Sequence, residues 1–239
     1  MVFILFGVLL LSGSVRAATV TFESKSPIDK QFLESNKAWL SEQYSKLESY
    51  FHVNTENSLT VQVMPVSENP DFLSCARIYG IRRIYAHSPD SLKALNPNQR
   101  KKYNSFCFER NYDDLKYTLV HEYIHILTLY VMKKELPQWI WEGAAVALSG
   151  QLKHTQMGTM VKEKLKIKKT VDACENKFSA SDIYLIGGAL LNFYESKSPG
   201  FVFELIKFQG QSSTGTLREF LDSKKLNCSV PGSEIMAVM

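Results

Sequence analysis

Apolar residues recur along this chain with two periods, and the change of period organises it. Ser26, Pro27 and Asp29 supply a capping hydroxyl, a first-turn proline and a first-turn acid. Ile28, Phe32, Leu33, Trp39, Leu40, Leu47 and Phe51 then carry one helical face to about His52. Leu59, Val61 and Val63 alternate with Thr60, Gln62 and Met64 up to Pro65, the period of a half-buried strand. The stretch from Ile78 to Ala86, broken at Gly80, predicts another strand or a short hairpin. From Asn111-Tyr112-Asp113-Asp114 the period turns helical. Leu115, Leu119, Ile126 and Leu129 extend it to about Lys133, where Lys133 and Lys134 favour the negative end of the helix dipole. Pro137 starts another helix, which Gly150 closes, and further helices are expected at about 156–168, 181–195, 199–208 and 215–225. The pattern predicts an α+β fold: a small N-terminal sheet, a central helix pair and a helical C-terminal half.

Composition sets limits on this picture. The chain has 239 residues, 45% hydrophobic and 22% charged, an ordinary globular balance that excludes a disordered or collagen-like chain. The net charge of +4 is small and scattered, so no nucleic-acid partner is expected. Lys162, Lys164, Lys166, Lys168 and Lys169 form the one basic run, read as the solvated face of the 156–168 helix, with contact to an anionic surface as the alternative.

The apolar run from Val2 to Leu11 is too short for a bilayer, which needs about 20 residues. It is followed by Val15 and Ala17, small residues in the −3 and −1 positions of a signal peptidase site. Residues 1–17 are therefore expected to be an export signal cleaved after Ala17, although its first residues carry no Lys or Arg. Residues 18–239 would form a single secreted or periplasmic domain with no membrane span and a net charge of +3. Cys75, Cys107, Cys174 and Cys228 lack Cys-x-x-Cys spacing, and an even number in an exported chain points to two disulfides. Of three pairings, Cys75–Cys107 with Cys174–Cys228 is preferred, since each bond then stays on its own side of the central helices.

The chemistry sits in those helices. In His121-Glu122-Tyr123-Ile124-His125 the i, i+4 spacing stacks two imidazoles on one helix face, where both can bind one zinc ion. Glu122 is turned by about 100° from His121, so it can act as a general base on a water at that metal without being a ligand. Glu142 lies in the next helix after a short turn. Two antiparallel helices joined in this way can bring it back to complete a His₂Glu set with one position open.

His121 to His125, together with Trp139-Ile140-Trp141-Glu142-Gly143-Ala144-Ala145, resembles the gluzincin metallopeptidases, whose pattern is His-Glu-x-x-His followed by Trp-x-x-Glu-Gly-x-Ala. The resemblance is motif-grade over 121–145 and extends in order of elements over about 28–208. It implies a zincin-like fold and one zinc ion per chain held by His121, His125 and Glu142. It also implies Glu122 as base, a peptide or protein substrate, and the 81–86 strand as the sheet edge that pairs with an extended substrate. Tyr184, in Tyr184-Leu185-Ile186-Gly187-Gly188, resembles the tyrosine that stabilises the oxyanion in several members, with His154 as the fallback. His52 and His87 are read as surface or core residues.

Two positions depart from the family. Thermolysin-like members carry an Asp four residues after the ligand Glu that orients a zinc His; here that position is Val146, so the acceptor must come from elsewhere. The Gly-x-Met-x-Asn signature of the large aminopeptidases is absent, which leaves endopeptidase as the default activity. Two alternatives stay beside the peptidase: an inactive peptidase-fold binding module with a structural zinc, and hydrolysis of a non-peptide amide.

Overall fold

The computed structural model describes residues 19–55, 58–103, 107, 110–175, 178–211 and 215–239. The expected export signal at 1–17 lies outside the described residues. The architecture is α+β.

A four-stranded sheet occupies the N-terminal half. Strand β1 (Val20–Glu23) leads into helix α1 (Pro27–Phe51) and back to β2 (Leu59–Met64), parallel to β1. Strands β3 (Ala76–Tyr79) and β4 (Arg83–His87) form an antiparallel hairpin, and β4 pairs in parallel with β2. The sheet order is therefore β1-β2-β4-β3. This corrects the expected edge. The 81–86 segment lies inside the sheet, and β3 is the edge strand on that side, with β1 at the other edge. The cause is the turn at Gly80, whose φ of 62° is open to glycine at little cost; it folds Ala76–Tyr79 back along the outer side of β4.

Helices α2 (Pro89–Lys93) and α3 (Pro97–Arg100) follow the sheet. Helix α4 (Tyr112–Val131) begins at a reciprocal cap in which Asn111 accepts from the Asp114 backbone and Asp114 accepts from that of Asn111. Helix α4 packs on both α1 and the sheet and is buried for most of its middle length. Helix α5 (Gln138–Ser149) ends at Gly150, whose φ of 84° breaks the helix before α6 (Gln151–His154) starts.

The C-terminal half contains α7 (Met157–Ile167), α8 (Ala180–Lys197), α9 (Phe201–Gln211), α10 (Leu217–Ser223) and α11 (Gly232–Ala237). It also contains an antiparallel pair that periodicity did not predict, β5 (Thr170–Asp172) with β6 (Ser229–Pro231). Three residues span less than two full periods of alternation, too little to register as a strand. Both expected cysteine pairs form, Cys75–Cys107 and Cys174–Cys228. The basic run behaves as a solvated face: Val161 and Leu165 of α7 are buried, while Lys162, Lys166, Lys168 and Lys169 are exposed. No helix among the described residues is long and apolar enough to cross a membrane.

Helices α5 and α8 cross closely. A Cβ on Gly143 would lie 3.0 Å from the Gly187 carbonyl carbon, and one on Gly188 would lie 2.3 Å from Val146 Cγ1. Position 146 therefore faces α8, and its valine fills the space that Gly188 leaves. An acid at 146 would be buried against that apolar crossing.

Candidate metal centre

Helices α4 and α5 bring three donor atoms together at the floor of one cavity. His121 Nε2 and His125 Nε2 are 3.1 Å apart, and each lies 3.3 Å from Glu142 Oε2. Donors about 2.0–2.2 Å from one tetrahedral centre stand about 3.3–3.6 Å from one another, and the three atoms lie at or just inside that spacing, close enough to hold a zinc ion. Their elements explain the convergence. The two histidines are one turn apart on α4, and α5 packs beside α4 so that Glu142, in the first turns of α5, faces both rings.

The environment prepares each donor. His121 Nδ1 donates to Gln151 Oε1 at 3.0 Å, which leaves the Nε2 lone pair facing the other two ligands. The missing acid at Val146 is thus replaced by an amide one helix later, and the break at Gly150 aims it back at α4. The His125 ring is held differently. Trp141 stacks on it with centroids 4.4 Å apart and planes 6° apart, while His125 Nδ1 is buried with no hydrogen-bond partner among the described residues. Burial alone would raise the Glu142 pKa, but when the two imidazoles are protonated on Nε2, their hydrogen bonds and then their charge outweigh it and hold the carboxyl well below the usual range. Glu142 is accordingly an anion, as a zinc ligand must be.

The cavity above these atoms encloses about 310 Å³. Glu122 is buried and lines it without joining the three donors, the placement expected of a base that is not a ligand. Tyr184, in the first turns of α8, lines the cavity as well. Burial, then the charge of Glu142 and a hydrogen bond to it, keep its phenol well above the usual range, so the group stays protonated. The edge strand supplies a further wall through Cys75, Ala76, Arg77 and Ile78.

The remaining candidates lie away from this centre. His154 is exposed, stacks on Tyr117 at 4.9 Å and does not line the cavity, so the structure does not place it as a substitute for Tyr184. His52 is an exposed cap at the end of α1, and His87 is a buried residue bonded to the Phe72 carbonyl at 2.7 Å.

Two cavity residues were missed in the sequence. Gln151 could have been sought once Val146 left His121 without an acceptor, although nothing in its own neighbours marks it. Arg110 lies just before the α4 cap and lines the cavity, and its Nη1 donates to Thr118 Oγ1 at 2.8 Å. Burial pulls its pKa below the usual value, while Glu122, then Asp114 and Tyr184, act in the opposite direction. No periodicity or motif points to it. No protein-family model, curated protein or solved structure matches this chain.

Proposed function

We propose that this chain is an exported zinc-dependent peptidase of the gluzincin type, hydrolysing peptide bonds with Glu122 as general base. The observation that carries the reading is the set of three donor atoms, His121 Nε2, His125 Nε2 and Glu142 Oε2, at mutual distances of 3.1–3.3 Å beneath a cavity that Glu122 lines. A complete ligand set with a free carboxylate beside it is what water activation requires. The disulfides fit an oxidising compartment outside the cytoplasm.

Zinc, when bound, supplies a Lewis acid that polarises the scissile carbonyl and makes water more acidic. The rest falls to the chain. Glu122 takes the proton of the attacking water on its carboxylate and returns it to the leaving amine. The Tyr184 phenol, protonated and beside Glu142, donates to the oxygen that gains charge in the transition state. Strand β3, the sheet edge that lines the cavity, offers its unpaired backbone groups to an extended peptide next to the metal ligands. Gln151 and Trp141 fix the two imidazole rings.

The test separates metal from catalysis. His121→Ala, His125→Ala and Glu142→Ala should each lose most of the zinc, measured by elemental analysis, and the activity with it. Glu122→Gln should keep about one zinc per chain and lose about 10²–10⁴-fold in peptide hydrolysis. A wild-type rate in Glu122→Gln would refute the mechanism. Zinc bound without cleavage of any peptide would favour the binding module.

A further inference from the structure

Two cations line the cavity that neither the metal set nor the proposed chemistry uses, Arg77 on β3, which is exposed, and Arg110, which is partly buried. Arg110 lines it together with Glu122, and its described hydrogen bond, to Thr118 Oγ1 at 2.8 Å, occupies one of the five N–H donors of a guanidinium. Among the described residues no carboxylate lies within ion-pair distance of it. The charges of Glu122 and Asp114 act on it only from a distance. A fork of donors in a partly enclosed cavity matches a planar carboxylate, which it binds through two parallel hydrogen bonds.

Its position narrows what that carboxylate can belong to. Thr118 precedes His121 by three residues and His125 by seven on α4. At 1.5 Å per residue, the Arg110 anchor is displaced along the helix by about 7–8 Å from the midpoint of the histidine pair. An extended peptide covers that distance in about two residues.

We propose that Arg110 is a substrate-binding residue that selects peptides carrying a carboxylate within about two residues of the bond to be cut. This rests on the peptidase reading above. The carboxylate comes from an Asp or Glu side chain or from the free C-terminus of a short peptide, and the cavity chemistry is the same for both. With zinc bound, the site carries two charges from the metal and one each from Arg110 and Arg77 against those of Glu122 and Glu142. A net positive cavity attracts an anionic group, and of its two guanidiniums Arg110 is the less exposed to solvent and the less screened.

Two peptide pairs distinguish the sources. In the first pair, Glu and Gln alternate at the position two residues beyond the scissile bond, and both C-termini are amidated. In the second, the residue is Gln and the chain ends there, as a free acid or an amide. The zinc-loaded protein should show a kcat/KM about 10- to 100-fold higher for the carboxylate member of at least one pair, and that pair names the source. In Arg110→Gln the ratio should fall to about one with zinc content still near one per chain. Arg110→Lys keeps the charge without the fork, and its ratio should drop at least threefold; it carries the test if Arg110→Gln does not fold. Ratios below about twofold for both pairs in the wild type would overturn the proposal. So would an equal loss on all four peptides in Arg110→Gln, because Arg110 would then act through Glu122 and not on substrate.

A binding measurement keeps this separate from the peptidase reading. Zinc-loaded Glu122→Gln should bind the carboxylate peptide more tightly by calorimetry, and Arg110→Gln in that background should remove the difference. That result with no cleavage by the wild type would sustain Arg110 and reject the peptidase. Cleavage without any carboxylate preference would do the reverse.

Discussion

At the scale of single residues, the three candidate metal donors are oriented by partners that a motif does not contain. Gln151 accepts from His121 Nδ1, and without it the imidazole is free to rotate and to carry its proton on Nε2, where the metal would have to displace it. Gln151→Leu should therefore weaken zinc binding by about 10–100-fold in a competition with a chelator, while Gln151→Glu keeps an acceptor and should retain most of the affinity. Equal loss in both would make Gln151 a packing residue only. Tyr184 separates from this behaviour. If its phenol meets the developing oxyanion only in the transition state, Tyr184→Phe should lower kcat by about 10²–10³-fold with little change in KM and none in zinc content. Wild-type kinetics in Tyr184→Phe would return the ring to the wall of the cavity.

At the scale of elements, the position of Glu142 depends on how α5 is pressed against α8. Val146, one turn after Glu142, fills the space above Gly188, and Gly143 meets the Gly187 backbone. Gly188→Ala gains about 1 kcal/mol of helix propensity but drives a methyl group into Val146, and overpacking of this kind costs about 1–3 kcal/mol and shifts the helix. The variant should be less stable than wild type in chemical denaturation and should bind zinc more weakly, because α5 carries the ligand. Val146→Ala makes room, so adding it to Gly188→Ala should cost less than the sum of the two single changes, a coupling of about 0.5–3 kcal/mol. Strict additivity would mean that the two helices do not meet as described.

The elements also show where a sequence speaks and where it does not. Helix α4 was legible because its apolar period, its Asn111 cap and the His121/His125 spacing agree over 20 residues. Glu142 was legible because α5 starts at a proline and stops at a glycine, which fixes its length and direction. The hairpin was seen at Gly80, but which of its strands lies outside depends on the pairing of β4 with β2, a contact made across the chain. Arg110 and Gln151 belong to no periodic run. Each reaches the site because a backbone feature beside it, the Asn111 cap or the Gly150 break, turns the chain toward α4, and only the folded arrangement shows what they touch.

At the scale of the whole molecule, the two disulfides do different work. Cys75 lies at the start of the edge strand and lines the cavity, and Cys107 is fully buried in a small cluster with Val66 and Leu92. That bond fastens β3 to the segment that leads into α4, across a separation of 32 residues. Cys174–Cys228 spans 54 residues and closes the β5–β6 pair, with α8 to α10 in the loop between its two ends, and neither cysteine lines the cavity. In the chain-entropy model, loops of these sizes make each bond worth about 4 kcal/mol. Loss of either should then lower the melting temperature by on the order of 10 °C for a domain of this size. Activity should distinguish them. Well below the melting temperature, the paired change Cys174→Ser with Cys228→Ser should leave kcat/KM within about twofold of wild type. Cys75→Ser with Cys107→Ser should raise KM for extended peptides, because the strand that would pair with the substrate is no longer anchored, while zinc content stays near one per chain. Equal effects of the two pairs on peptide kinetics would mean that β3 does not receive the substrate, and the backbone partner would have to be sought on another wall of the cavity.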